Sequence, residues 1–471
     1  MAGSGIYLRN LVAQTGARVL FIGSTLATFI AIARLLGPEA FGQYSYAVTF
    51  ATLFASFADF GTSSILGREL TARRGRDDRA FFGAFFLLRV ASALALVLPA
   101  LVVAYFLKPE IMGLLALACM AIPVLALRFF EPIYQVYERP FDAVPPAVAG
   151  SLVYFGSTLA VLHAGGGVLA LLAGYIGGNA VYGLLAWWLS RHAIRPLLRW
   201  DGALIRRILQ LALPIGVASV CASLNSRVGT LLLGELRTDH EVGIYNAAFR
   251  FLDVAAMGGV LLVTPLIPIF AQRAIGDRPG MARDYTALVE HLGVVAIPAA
   301  LALPMLSPGI VRLCFGQEFA ASAPVLNVLG FSAALIFFSL ASSAANVALG
   351  VVRHGYWVGI LALAVNLSLS LLLIPRHGAL GAAFGALAAE ISMLAVSQYY
   401  TSAALGAVLR PGRWALLFAL GVALWLWLEA APFAPEILLP SGLVAYAACA
   451  WTLGLVDPGL LRRLEAPPAG A

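Results

Sequence analysis

The stretch FFGAFFLLRVASALALVLPALVVAYFL, residues 81–107, carries one charged side chain, Arg89, in 27 positions. The hydrocarbon core of a bilayer is about 30 Å thick and takes about 20 helical residues to cross. The stretch therefore reads as a transmembrane helix, and the same reading extends along the chain in both directions. Thirteen further apolar stretches lie at approximately 11–33, 41–66, 111–130, 147–163, 168–190, 209–233, 243–270, 287–306, 322–349, 355–374, 379–405, 414–429 and 438–455. Hydrophobic residues make up 61% of the 471 and charged residues only 11%, too few to clothe a soluble domain of this size. The expected fold class is all-α, a polytopic integral membrane protein with about 14 transmembrane helices.

Arg and Lys predict the orientation. With both termini cytoplasmic, 20 of the 30 basic residues fall in cytoplasmic segments, and only Lys108, Arg237, Arg312 and Arg376 fall on the opposite side. That asymmetry follows the positive-inside rule. The net charge of +7 is then a topology and anionic-lipid signature. No nucleic-acid partner is expected, because the basic residues are scattered over short loops rather than gathered on one face. Arg18 interrupts the first apolar stretch, so that stretch is expected to remain as an anchor and not to be cleaved. Cys119, Cys221, Cys314 and Cys449 show no metal or redox spacing, and neither metal nor cofactor is expected.

The organisation read from the chain is an N-terminal lobe over 1–190 (helices 1–6) and a C-terminal lobe over 209–409 (helices 7–12). A cytoplasmic amphipathic linker helix over 191–208 joins them, and helices 13–14 with a cytoplasmic tail occupy 410–471. Phe41-Gly42-Gln43-Tyr44 opens the second span and Val242-Gly243-Ile244-Tyr245 opens the eighth, 201 residues later. Six spans separate the two, so the lobes are expected to be parallel repeats about an axis along the membrane normal. Such paired halves are a transporter signature.

Ala33-Arg34-Leu35-Leu36-Gly37-Pro38-Glu39-Ala40-Phe41-Gly42-Gln43-Tyr44, then Ala58-Asp59-Phe60-Gly61 and Arg68-Glu69-Leu70, resemble the start of the polysaccharide-transport (Wzx-like) flippases. These belong to the MOP superfamily, which also holds the MATE exporters and the lipid II flippase. A second resemblance runs from Ala364-Val365-Asn366-Leu367 to Ile374-Pro375-Arg376-His377-Gly378-Ala379-Leu380-Gly381. The resemblance implies export of a lipid-linked oligosaccharide across a bacterial or archaeal cytoplasmic membrane by alternating access, with helices 1, 2, 7 and 8 lining a central cleft. It does not identify the sugar.

A charged group at the bilayer centre costs about 2.5–3.5 kcal/mol on insertion scales and usually faces protein or a water-filled cavity. Helical spacing shows which faces such groups occupy here. Ser45, Thr52, Ser56, Asp59 and Ser63 form one stripe on span 2, and Asn246, Arg250 and Asp253 form one on span 8. Span 7 carries Ser219, Ser223, Ser226, Arg227 and Thr230, and span 1 carries Gln14, Arg18 and Thr25. The candidate substrate-binding residues are Arg18, Arg89, Arg227, Arg250, Asp59, Asn246 and Asp253. Bland readings stand beside these. Arg18 and Arg89 can snorkel to headgroups, Arg250 with Asp253 can be a structural i,i+3 pair, and Asp59 can meet only the basic loop after span 2. Arg128 with Glu131 reads as an edge ion pair. Glu390, among alanines in the middle of span 12, is the candidate for ion coupling, or else one half of an interhelical pair.

A diphosphate needs cationic donors, and Arg offers bidentate geometry. The leading expectation is therefore a flippase for a polyprenyl-diphosphate-linked oligosaccharide serving cell-surface polysaccharide synthesis. Its partners would be that substrate and membrane lipids. A proton or sodium ion, and a polysaccharide polymerase or glycosyltransferases, are further candidates. A MATE-like ion-coupled drug antiporter is the alternative, though a cationic drug would be repelled by these arginines. A membrane glycosyltransferase or polymerase is disfavoured, because the short loops supply no catalytic surface.

Overall fold

The computed structural model describes residues 2–74, 78–351, 355–406, 410–430 and 435–456, without the side chains of 2–21, 131, 140, 355, 356 and 435–440. Among these residues there are helices and no strands, and ten helices are long and apolar enough to cross a membrane. Each of the fourteen expected stretches falls largely on a helix. The protein is an all-α, multi-pass membrane protein. Its chain divides into two compact units, Met1–Gly243 and Ile244–Ala471.

The first unit opens with α1 (Ala2–Asp59), which holds the first two expected spans as two helices meeting at Gly37. Gly37 adopts φ 75°, ψ 176°, and Pro38 follows it inside the helix. A positive φ at glycine followed by a residue without an N–H is a natural break in a helical ladder. After α1 come α2 (Thr62–Arg73), α3 (Asp78–Leu107), α4 (Met112–Leu125), α5 (Glu131–Val136), α6 (Val144–His163), α7 (Val168–Ser190) and α8 (Gly202–Leu236). The second expected span does not run through to residue 66. It stops at Asp59, where Phe60 (φ 40°) and Gly61 (φ 71°) turn the chain into α2. The fourth is also shorter than read, since residues 126–130 are turn rather than helix.

The connection after α7 departs from the sequence reading as well. Residues 191–193 are turn and 194–201 are not helical, so of the expected linker helix over 191–208 only the part from Gly202 forms. Pro196 removes a donor and biases Arg195 away from helix, and the chain is held by Leu197 N donating to Arg79 O at 2.9 Å. Gly83 makes room for it, because a Cβ there would fall on the Leu197 carbonyl. Helix resumes at Gly202, capped by Asp201, whose carboxylate accepts from Ala203 N and Leu204 N at 3.0 Å each.

Helix α8, which the sequence assigns to the second lobe, belongs by its contacts to the first unit, where it packs on α1, α2 and α3. The corner at Gly61 lies directly on Gly216 of α8, and a Cβ on Gly61 would come within 2.7 Å of Gly216 N. The start of α9 (Asp239–Val263) also reaches α1 within this unit. A Cβ on Gly42 would fall on the Asp239 carbonyl, and one on Gly243 would fall on the Pro38 carbonyl. Pro38 and Asp239 are 201 residues apart, as are Gly42 and Gly243, so the contact is reciprocal at the spacing of the sequence repeat.

The second unit continues from α9 through α10 (Leu266–Gly276), α11 (Arg278–Phe315), α12 (Ser322–Ala348), α13 (Gly355–His377), α14 (Ala379–Leu405), α15 (Pro411–Ala430) and α16 (Pro435–Thr452). The eighth expected span is broken between α9 and α10 at Pro265. Within the unit, α13 packs along α14, and α12 packs on both α11 and α14. Gly385 of α14 lets Ser370 and Asn366 of α13 approach closely. The hairpin of α15 and α16 lies on α11 through Ile297, Leu417, Leu424 and Tyr446.

Candidate functional site

Asp59 and Arg89 are brought together at the α1–α2 corner. Asp59 Oδ1 accepts from Ser63 N at 3.1 Å, Ser63 Oγ at 2.7 Å and Thr62 Oγ1 at 3.2 Å. It thereby caps α2 from two residues before the αL turn at Gly61. The same oxygen pairs with Arg89 Nη1 from α3. The Arg89 side chain is 6% exposed, its Nε donates to Ala126 O at the end of α4 at 3.1 Å, and its guanidinium lies 6.0 Å from the Phe129 ring. Four segments of the first unit therefore meet on one buried ion pair. Arg128 points elsewhere, to Asn179 Oδ1 at 3.3 Å and over the Tyr182 ring of α7. The side chain of its expected partner, Glu131, lies outside the described residues, as does that of Arg18.

The polar faces of spans 2 and 7 are also joined within this unit. Arg227 Nε donates to Thr52 Oγ1 at 3.1 Å, and Nη1 donates to Ser223 O at 3.0 Å and Ser226 Oγ at 3.1 Å. Two further acidic groups went unnoticed in the sequence. Glu235 accepts from Tyr46 Oη at 2.5 Å, and Asp239 pairs with Lys108 Nζ at 2.5 Å while that ammonium sits 4.9 Å from the Tyr46 ring. Lys108 follows α3, whereas both carboxylates belong to the α8–α9 turn. No spacing on a single helix could have linked them.

In the second unit, Asn246, Arg250 and Asp253 share one face of α9 as their spacing requires. Arg250 Nη1 pairs with Asp253 Oδ2 at 2.8 Å, and Nη2 donates to Asn246 Oδ1 at 3.4 Å. Asp253 is 42% exposed against 17% for Arg250. Glu390 lies in the middle of α14 beside Ser339 of α12, and its Oε2 is buried with no hydrogen-bond partner among the described residues. A second buried acid is Glu290 of α11. In the structure it is 3% exposed and paired with Arg413 of α15 at 2.6 Å. Arg273 of α10 and Asp284 of α11 form a further buried pair.

One uncharged network escaped the sequence reading. Tyr285 Oη on α11 bonds Ser342 Oγ at 2.6 Å and donates to Gln398 Oε1 at 2.7 Å, while Thr401 Oγ1 donates to Asn346 Oδ1 at 3.1 Å. It ties α11, α12 and α14 together. The available signal was the row Ser397, Gln398, Thr401 and Ser402 on α14, which shares a face by helical spacing.

Three groups of known proteins bear on this chain. It is 25% identical over 318 residues to the lipopolysaccharide biosynthesis protein WzxC of Escherichia coli, covering 66% of this chain and 64% of that one. It is 22% identical over 199 residues to the capsular polysaccharide biosynthesis protein CapF of Staphylococcus aureus, covering 42% and 50%. The chain thus matches half to two thirds of the length of these curated relatives. Among solved structures, the lipid II flippase MurJ in an inward closed conformation matches with a TM-score of 0.79 at 14% identity, over 94% of this chain and 98% of that one. An inward-facing MATE multidrug transporter matches at 0.65 and 16% identity, over 84% and 98%. At these identities the structural likeness establishes the fold alone. The model of the polysaccharide biosynthesis protein family matches residues 8–273, more than half of the 471, and the chain belongs to that family.

Proposed function

We propose that this protein is a flippase that moves a polyprenyl-diphosphate-linked oligosaccharide across the cytoplasmic membrane by alternating access, for cell-surface polysaccharide synthesis. The carrying observation is chemical. In a fold shared with a lipid II flippase and in a polysaccharide biosynthesis family, arginines are kept on polar faces of membrane helices, Arg227 on α8 and Arg250 on α9. A guanidinium held there, at a cost in desolvation, suits a diphosphate. A drug antiporter on the same fold would have to carry cations past those charges. The reading is of a transporter and not an enzyme.

Arg227, Arg250, Asn246 and Asp253 are the residues we assign to substrate, with Arg18 kept as a candidate from the sequence. Asp59 and Arg89 are assigned to holding the α1–α2 corner. Glu390 is the candidate for coupling to a proton or sodium gradient, since a buried carboxylate oxygen can take a cation. The proposed orientation has both termini and the 194–201 connection cytoplasmic, and a polysaccharide polymerase or glycosyltransferases are the proposed neighbours in the pathway.

The test is a substitution series at Arg250 with matched membrane expression. Export of the glycan is expected to fall in the order wild type, Arg250→Lys, Arg250→Ala, because a point charge replaces a bidentate donor only in part. The lipid-linked glycan should then accumulate in the inner leaflet. Full rescue of Arg250→Ala by adding Asp253→Ala would overturn the assignment and leave the pair as structure. Thiol labelling from outside the cell at Trp200→Cys is expected to fail, and success would reverse the orientation.

A further inference from the structure

A cavity of about 360 Å³ opens at one end of the first unit, lined by Asp78, Arg79, Tyr137, Arg191, Ala193, Ile194 and Arg195. Three arginines on so small a wall would repel one another unless something held them or an anion joined them. The structure shows what holds two of the three, Arg79 and Arg191. Arg79 grips the 194–201 connection at two points, Nε donating to Arg195 O at 3.0 Å and its own carbonyl accepting from Leu197 N at 2.9 Å. Arg191 lies 5.5 Å from the ring of Trp187, which itself stacks on Phe86. The acidic wall residue, Asp78, is already engaged: Oδ1 accepts from Arg79 N at 2.8 Å and Oδ2 accepts from Tyr137 Oη at 2.7 Å. Burial and that bond raise the Tyr137 phenol above its ordinary range, so it stays protonated. The cavity is thus a preformed cationic cup built on backbone clips.

The rim of the cup indicates what reaches it. Leu197 and Leu198 are 52% and 54% exposed and Trp200 is 61% exposed, interleaved with Arg195 and Arg199. Apolar side chains and a tryptophan beside arginines, at the level where α3 begins and α7 ends, match the membrane–water interface. The geometry points to a binding site for the phosphate of a lipid headgroup, held by Arg79, Arg191 and Arg195, with the acyl or prenyl chain beside Leu197, Leu198 and Trp200. Its lining includes neither Arg227 nor Arg250, and it does not require that the protein transport anything. Its ligand chemistry, a lipid phosphate, can come from an anionic phospholipid or from a polyprenyl diphosphate.

The experiment uses the full-length protein in detergent, titrated by calorimetry with inorganic pyrophosphate, dihexanoylphosphatidylglycerol or dihexanoylphosphatidylcholine. It is run on the wild type, on Arg191→Gln/Arg195→Gln and on Arg312→Gln/Arg376→Gln, two exposed arginines away from both proposed sites. The Arg195 carbonyl, and so the clip, survives the first variant, and its unfolding temperature is measured alongside. At least a tenfold loss of affinity in Arg191→Gln/Arg195→Gln, with binding kept in Arg312→Gln/Arg376→Gln, supports the site. Preference for pyrophosphate then identifies a diphosphate-lipid source, and preference for phosphatidylglycerol over phosphatidylcholine identifies a phospholipid source. Equal affinity in wild type and Arg191→Gln/Arg195→Gln, or equal affinity for the two phospholipids with none for pyrophosphate, overturns it. If Arg191→Gln/Arg195→Gln unfolds early, Arg191→Lys/Arg195→Lys decides: retained binding supports the site and lost binding overturns it. Neither result bears on glycan export, which the Arg250 series reads separately.

Discussion

Replacing Asp59 separates a structural ion pair from a substrate contact. Asp59→Ala removes the partner of Arg89, whose side chain is 6% exposed, and breaking a buried pair from one side costs about 3–5 kcal/mol. It also removes the acceptor for Ser63 N at 3.1 Å, a capping loss of about 0.5–2 kcal/mol. Asp59 is itself 23% exposed, so water reaches the site and the joint loss belongs at the lower end, about 4 kcal/mol. Arg89→Met costs less, because Asp59 keeps its bonds to Thr62 and Ser63. In the double variant Asp59→Asn/Arg89→Met the Asn oxygen retains the cap and no charge is left buried, and most of the loss is regained. The assay is thermal unfolding of purified protein in detergent, paired with glycan export at matched expression. The expected order of stability is wild type, double variant, Arg89→Met, Asp59→Ala, with export recovering in the double variant. Wild-type stability in Asp59→Ala together with abolished export would refute the reasoning and return Asp59 and Arg89 to the substrate.

Gly42→Ala and Gly243→Ala each set a Cβ against a backbone carbonyl and should cost at least the 1–3 kcal/mol, approximately, of an overpacked core, seen as lost monodisperse yield on size-exclusion chromatography. Gly113→Ala on α4 meets nothing within 4 Å, so it should leave yield unchanged or raise it, since Ala is favoured over Gly in a helix by about 0.8–1 kcal/mol. Tyr285→Phe removes the phenol's bonds to Ser342 and Gln398, which keep each other, so it should cost about 0.5–1.5 kcal/mol and lower the unfolding temperature while sparing export. Lys108→Met leaves Asp239, 17% exposed, without its cation and should destabilise the protein. Adding Asp239→Asn should recover most of that loss, and no recovery would mean that the ammonium acts through the Tyr46 ring.

The fold class was legible because membrane insertion is decided locally. Twenty apolar residues need only their own helical hydrogen bonds to enter a bilayer, so Phe81–Leu107 could be read without knowing its neighbours. Faces were legible for the same reason: Asn246, Arg250 and Asp253 share one side of α9 because a helix repeats every 3.6 residues. Partners between helices were not. Lys108 with Asp239, Glu290 with Arg413 and Arg273 with Asp284 join residues on different elements, and nothing along one helix states which other helix lies beside it. The turn at Phe60–Gly61 escaped hydropathy because apolar residues continue through it, and the non-helical run 194–201 escaped because its leucines, tryptophan and arginines read as an amphipathic helix. In each, a glycine or proline and a contact from α8 or α3 override the helical preference. Sequence alone assigned the charged residues to their helices and helical faces. Packing set Arg89 against Asp59 at the α1–α2 corner and Arg250 against Asp253 along α9. The difference arises because a buried ion pair needs its counter-ion within a few ångströms in space, a distance that sequence separation does not encode.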